Sequence, residues 1–143
     1  MKAISSTLSF TVLSAAMLVP ASAIAATPIL GRWVTEGKTA IVTVAPCGPT
    51  LCGRITALLN RRTSGLAVDA KNRDPALRTR PLLGLIILSE FVEAGDVWRG
   101  RIYDPQTGKT YKSIVSRDPD GTLKVQGCIA FLCQTQSWTA VKN

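Results

Sequence analysis

Histidine is absent from this chain. That removes the commonest general base at neutral pH, the histidine-dependent serine and cysteine triads, and the usual ligands of catalytic zinc. An enzyme working through Asp, Glu, Lys or Tyr stays open, by a rarer chemistry. Acidic residues are scarce too: nine Asp and Glu face 17 Lys and Arg, for a net charge of +8. Such a surface favours anionic partners or simply keeps the protein in solution. Nucleic acid is not expected among those partners. The basic residues are spread along the chain, densest from Arg61 to Arg80, with no basic helix and no aromatic-interleaved basic motif. No long segment has helical periodicity, and neither an internal repeat nor a low-complexity tract is present.

What is present begins with a leader. Lys2 supplies a positive start, Leu8 to Pro20 form an apolar stretch without charge, and Ala21-Ser22-Ala23 and Ala23-Ile24-Ala25 are small-x-small cleavage sites. The competing reading is a membrane anchor, since Ala3 to Leu30 is uncharged and long enough to span. The small residues, the proline and the lack of a basic stop-transfer cluster favour cleavage. The expected division is a signal peptide over 1–25, cleaved near Ala23 to Ala26, and one domain over 26–143, and the expected address is periplasmic or secreted. Cleavage takes one lysine and leaves 16 basic against 9 acidic residues. No later segment is expected to cross a bilayer. The apolar run Leu82 to Leu88 is too short and reads as a buried strand.

Four cysteines form two matching pairs, Cys47 with Cys52 and Cys128 with Cys133. The spacing suits a tetra-thiolate zinc site or two disulfides. An oxidising compartment favours disulfides, and therefore no metal. The expected connectivity is local, Cys47–Cys52 and Cys128–Cys133, which would fix two hairpins; cross-pairing, which would staple the chain ends together, is the open alternative.

The mature chain alternates short β-prone runs with turn signals. The runs are Arg32 to Thr35, Thr39 to Ala45, Leu51 to Leu59, Leu85 to Phe91, Val97 to Tyr103, Thr110 to Arg117, Leu123 to Ile129 and Gln134 to Val141. Between them stand Pro46 to Pro49, Glu93 to Asp96, Asp104 to Gly108 and Asp118 to Gly121 as turns. In Leu51 to Leu59 the set Leu51, Gly53, Ile55, Ala57, Leu59 alternates against Cys52, Arg54, Thr56, Leu58. Asn60 to Arg80 is polar and aperiodic and reads as a long loop, with a short helical turn opened by Asp74-Pro75. Gly53, Gly84, Gly100 and Gly127 in strand context suggest bulges or tight bends. About eight strands joined by hairpins predict an all-β fold, closing most simply as a single small antiparallel up-and-down barrel.

These residues carry a resemblance. Gly31-Arg32-Trp33, the Cys47 to Arg54 segment, Asp69 with Asn72, Arg78 to Leu82 with Gly84, Trp98 with Gly100, Ile102 to Pro105 with Gly108 to Tyr111, Leu123 to Val125 with Gly127, and Gln136 with Trp138-Thr139 are similar to the DUF2147 family of uncharacterised exported bacterial proteins. The likeness runs over essentially the whole mature chain. Arg73 stands where the family pattern has Pro, and Ala140 where it has Arg. The resemblance implies a lipocalin-like β-barrel and supplies no activity.

Candidate ligand-binding residues follow from the barrel and its one long loop. Trp33, Trp98 and Trp138 either fill the interior or line a cavity. Asp69, Asn72, Arg78 and Arg80 either order the loop or form a site where it covers a barrel mouth. The leading expectation is a binding protein for a small apolar or amphiphilic molecule, its acidic head group read by Arg78 or Arg80. The alternatives are an interaction protein contacting anionic components of the cell envelope, and a hydrolase using a loop carboxylate such as Asp69. No cofactor and no catalytic residue is assigned.

Overall fold

Eight strands joined in sequence order close on themselves in the computed structural model, which describes residues 17–60 and 67–142. Most of the leader and part of the long loop (1–16 and 61–66) lie outside the described residues. The strands are β1 Gly31–Val34, β2 Ala40–Cys47, β3 Thr50–Leu58, β4 Ile86–Ala94, β5 Val97–Asp104, β6 Lys109–Arg117, β7 Leu123–Ile129 and β8 Leu132–Ala140. Every neighbouring pair is antiparallel, and the seam is made by Trp33 opposite Ala140 and Val34 opposite Thr139. The chain is thus an all-β, lipocalin-like barrel. Closure pairs β1 with β8, the two strands an open sheet would leave as edges. Among the described residues no helix is long and apolar enough to cross a membrane.

The alternation seen in the sequence supplies the interior. Ala40, Val42 and Val44 of β2, Val115 of β6, and Leu123 and Val125 of β7 point inward and are buried. Each fully buried aliphatic side chain contributes about 1.5–3 kcal/mol. Trp33, Trp138, Phe91, Leu88, Ile87, Ile55 and Ile29 complete the core.

Two glycines allow β4 to bend. The side chain of Leu88 lies over Gly53, where an added Cβ would meet it at 2.8 Å, and Phe91 lies over Gly100, where a Cβ would meet its ring at 2.6 Å. The ladder shifts register beside both. Glu90, with φ of 58°, forms the bulge that turns Phe91 into the core. Gly84 sits in the loop before β4, at φ of 87°, rather than in a strand.

Several expectations are corrected: besides Gly84, the Pro46 to Pro49 turn narrows to Gly48-Pro49 because β2 runs through Cys47, and β8 begins at Leu132 rather than Gln134. The run Leu82 to Leu88 is not one strand: β4 starts at Ile86, and Leu82 is tied instead to the long loop by its N–H donating to Ala67 O at 2.9 Å. β4 continues through Glu93 to Ala94, because the hairpin needs only Gly95 and Asp96 to turn. Leu58 does not share the outer face of Arg54. A bulge puts Thr56 between the pairs Ile41–Ala57 and Val42–Ile55, which swings Leu58 inward.

Both local disulfides form, Cys47–Cys52 and Cys128–Cys133, with Cα separations of 5.5 and 4.0 Å. The first spans the β2–β3 hairpin and the second the β7–β8 hairpin.

The barrel has two unlike ends. The connections β1–β2, β3–β4, β5–β6 and β7–β8 lie at one, here the mouth; the other three lie at the floor. The segment preceding β1 packs across the floor. Ile29 is fully buried, its carbonyl accepts from Trp33 Nε1 at 3.0 Å, and the Thr27 carbonyl accepts from Trp98 Nε1 at 2.9 Å.

Candidate functional site

The connection between β3 and β4 returns over the mouth as a strap. Its described part is pinched by the bridge between Val68 and Pro81, and Asp69 N–H donates to Arg80 O at 3.0 Å. Within it, Asp74 caps a single 3-10 turn, Pro75–Leu77, its carboxylate accepting from Ala76 N–H at 3.0 Å. Proline at the first position has no N–H to leave unpaired, which is why Asp-Pro starts a turn here.

Asp69 fastens the strap to the barrel. Its carboxylate is wholly buried and accepts from Tyr103 Oη at 2.6 Å, from Asn72 Nδ2 at 2.8 Å, and from Arg80 Nε at 2.9 Å and Nη2 at 2.8 Å. Asn72 Nδ2 also donates to Tyr103 Oη at 3.0 Å, and its Oδ1 accepts from Asp74 N–H at 2.9 Å. Arg78 Nε donates to Asn72 O at 2.8 Å. The Arg80 guanidinium lies 5.5 Å from the centre of the Tyr103 ring. Burial by itself raises the Asp69 carboxyl. Hydrogen bonds from Tyr103, Asn72 and Arg80, with the Arg80 charge, outweigh it and hold the group below its ordinary value. Tyr103 is raised, by burial and by donating to an anion.

Gly108, in the β5–β6 turn, lets the strap come close. An added Cβ would lie 1.9 Å from Lys71 O, and its φ is 65°. Only glycine meets both conditions there.

Under the strap a cavity of about 440 Å³ opens at the mouth. Ala40, Ile55, Leu58, Leu82, Ile87, Ile102 and Trp138 form its apolar wall; Thr35, Thr39, Asn60, Asp104, Gln106 and Gln136 supply polar groups. Trp138 Nε1 donates to Gln136 Oε1 at 2.9 Å. Among the described lining residues none is Lys or Arg. A second concavity, of about 600 Å³, lies on the outer wall and is lined by Arg73, Arg101, Lys109 and Lys112 with Tyr111 and the start of the β7–β8 turn.

The sequence-expected residues therefore separate into three places. Asp69, Asn72, Arg78 and Arg80 come together in the strap network. Trp138 lines the cavity. Trp33 and Trp98 lie at the floor, engaged with the segment before β1. Tyr103, the group that ties the strap network to a strand, was not singled out: the alternation of β5 sets it beside Arg99 and Arg101 on the outer face. Its place one residue before the Asp104-Pro105 turn was the available signal. Leu58 and Leu82 were missed as cavity residues because a bulge and a loop, not strand period, bring them there; Ile102 and Gln136 stand in regular ladders and were not singled out.

A closed eight-strand barrel with an apolar cavity at one mouth is the architecture of lipocalin-like proteins. The chain belongs to the family described as "Uncharacterized protein conserved in bacteria (DUF2147)", matched over residues 31–140. A solved structure described as protein HP1028 from the human pathogen Helicobacter pylori, which belongs to the lipocalin family, is similar in fold. The TM-score is 0.70 at 20% identity, covering 81% of this chain and 84% of that one. No curated protein matches. Two disulfides and membership of a bacterial family fit an extracytoplasmic protein.

Proposed function

We propose that this protein binds one small, largely apolar molecule in the mouth of its barrel. The cavity carries the reading: its volume lies within the roughly 300–1,000 Å³ usual for ligand sites, and it combines an apolar wall with a few polar groups. The head group that fits is neutral. Arg78 and Arg80 are engaged by Asn72 and Asp69, and the described lining offers hydroxyls and amides rather than a cation. An acidic head group would meet Asp104 instead. The Asp69 network favours binding over hydrolysis, since both carboxylate oxygens already accept hydrogen bonds inside the strap. The same reading takes residues 1–25 as a leader removed on the way to the periplasm or exterior.

Titration with a solvatochromic apolar dye, followed by displacement with neutral long-chain alcohols and the matching acids, tests the reading. One saturable site per chain is expected, with alcohols displacing better than acids, and Leu82→Trp, which fills the cavity, abolishing it. Saturable binding unchanged in a folded Leu82→Trp protein, or none in the parent, would refute the assignment.

A second reading, contact with anionic envelope components, is favoured by the four cations of the outer concavity.

A further inference from the structure

The β7–β8 hairpin ends in a feature that folding does not explain. Its two-residue turn is Ala130-Phe131, where such turns ordinarily take Asn-Gly or Gly-containing pairs. Ala130 holds a φ of 53°, a backbone region that alanine rarely adopts. The flanking Cys128–Cys133 bridge, formed between directly opposed residues, keeps the hairpin in this shape. At its tip Ile129, Phe131 and Leu132 are 66%, 89% and 70% exposed. Three large apolar side chains side by side in water contribute nothing to the core.

The cationic concavity adjoins this tip, its wall running from Arg101 and Lys112 to Ile129 and Ala130. Arg101 and Lys112 are directly opposed across β5 and β6. Like charges so placed destabilise a sheet. Neither makes an ion pair among the described residues. Arg73 arrives from the strap, and Lys109 stands opposite Asp104, whose carboxylate is held by the turn, from Gln106 N–H and Thr107 Oγ1. An apolar point backed by unpaired cations is the pattern that enters an anionic lipid interface.

We propose that the β7–β8 tip docks the barrel on anionic bilayers, Phe131 entering the headgroup boundary while Arg101 and Lys112 meet lipid phosphates. The tip belongs to the mouth end, as do exposed Leu59 and Leu83 of the strap connection. Docking therefore turns the mouth toward the membrane, and an apolar ligand would pass between bilayer and cavity without crossing bulk water. The docking surface goes beyond the ligand reading and stands without it.

Flotation of the leader-free protein with phosphatidylglycerol-containing and pure phosphatidylcholine vesicles tests this, with no ligand present, so failure here is read separately from failure of dye binding. Binding is expected only to the anionic vesicles and is expected to weaken in high salt. Arg101→Gln with Lys112→Gln should lower the partition roughly 25-fold, about five-fold per charge. Phe131→Ser should lower it roughly ten-fold. Circular dichroism and melting of these surface variants should match the parent. Absence of binding, equal binding to neutral vesicles, or anionic binding indifferent to Phe131→Ser overturns the proposal. So does Phe131-dependent dimerisation in gel filtration without vesicle binding, which would assign the tip to a second copy.

A separate observation lies at the floor. Residues 17–25 are exposed along their whole length, and burial begins at Ala26, which is 8% exposed. Its backbone nitrogen donates to Glu93 Oε1 at 2.7 Å. Ala23-Ile24-Ala25 is the cleavage pattern immediately before it. We infer that the leader is cut after Ala25 and that Glu93 receives the α-ammonium so created. The floor segment would then be held by an ion pair that exists only in the processed chain, beside the Trp98 and Trp33 hydrogen bonds to Thr27 and Ile29. Intact mass of the exported protein should place the terminus at Ala26. The pH dependence of α-amine acylation should show an amine titrating above the ordinary value of about 7.7–8.0, returning to it in Glu93→Gln. A terminus elsewhere, or an α-amine indifferent to Glu93→Gln, overturns the inference.

Discussion

Replacing Asp69 with Asn isolates the strap network. The substitution keeps the shape of the side chain but removes its charge and turns one acceptor oxygen into a donor. Asp69 accepts from Tyr103 at 2.6 Å, Asn72 at 2.8 Å and Arg80 at 2.8 and 2.9 Å. An amide accepts from two of these at best, and its own NH₂ then faces another donor in a buried site. Hydrogen bonds to a charged group are worth about 1.5–3 kcal/mol each, and they do not add. Arg80 is about one-third exposed, so water recovers part of its loss. A cost of about 3 kcal/mol follows, within the range for breaking a buried pair. For a domain of this size that lowers Tm by roughly 10 °C. Thermal denaturation at pH 7, followed by circular dichroism, reads it. The pH dependence carries a sign. A carboxyl lowered in the fold contributes stability that is present above its unfolded value of about 3.9 and lost as pH falls through the folded value. The difference between parent and Asp69→Asn should therefore close in acid, below about pH 4. A variant melting within roughly 2 °C of the parent at pH 7, or a gap that persists in acid, would refute the reasoning.

Tyr103 should show the opposite slope. Its phenol is raised in the fold, so it contributes stability that is present below the unfolded value of about 10 and lost as pH rises through the folded value. Tyr103→Phe should lose about 1–2 kcal/mol in neutral urea melts and lack that alkaline component; equal alkaline profiles would contradict it. Gly108→Ala should cost roughly 2 kcal/mol or more, because its Cβ cannot share space with Lys71 O, and limited proteolysis should then cut the strap first; parent-like melting and cleavage would count against this contact. Replacing Cys128 and Cys133 together by Ser should cost only about 2 kcal/mol, since the bridge spans five positions, and strand content by circular dichroism should stay the same; unfolding at room temperature would refute it.

The barrel was legible because its evidence is local. Inward alternation in Ala40, Val42 and Val44, and turn chemistry in Asp104 to Gly108 and Asp118 to Gly121, place strands and hairpins without reference to the rest of the chain. The long loop was legible as a loop, and Asp69, Asn72, Arg78 and Arg80 as polar residues able to order it. Their common partner was not, because Tyr103 lies 34 positions from Asp69 and meets it only once the barrel has closed. The cavity was hidden for a related reason. Leu58 turns inward through a bulge, and Leu82 reaches the mouth through a loop resembling a strand in hydropathy. Disulfide pairing became definite only when the hairpins put Cys47 near Cys52 and Cys133 opposite Cys128.

The floor built by Ile29, Trp33 and the segment before β1 makes the barrel a blind tube. On the proposed ligand reading, a guest would leave by the opening through which it came, so exchange of one molecule for another would be sequential, and a second could not push the first through. Depth also acts as a ruler. In a homologous series of straight-chain alcohols, affinity should climb with each added methylene until the tail touches the packed core, and then stop climbing. The length at which it stops would report, from solution alone, how far below the strap the filled half of the barrel begins.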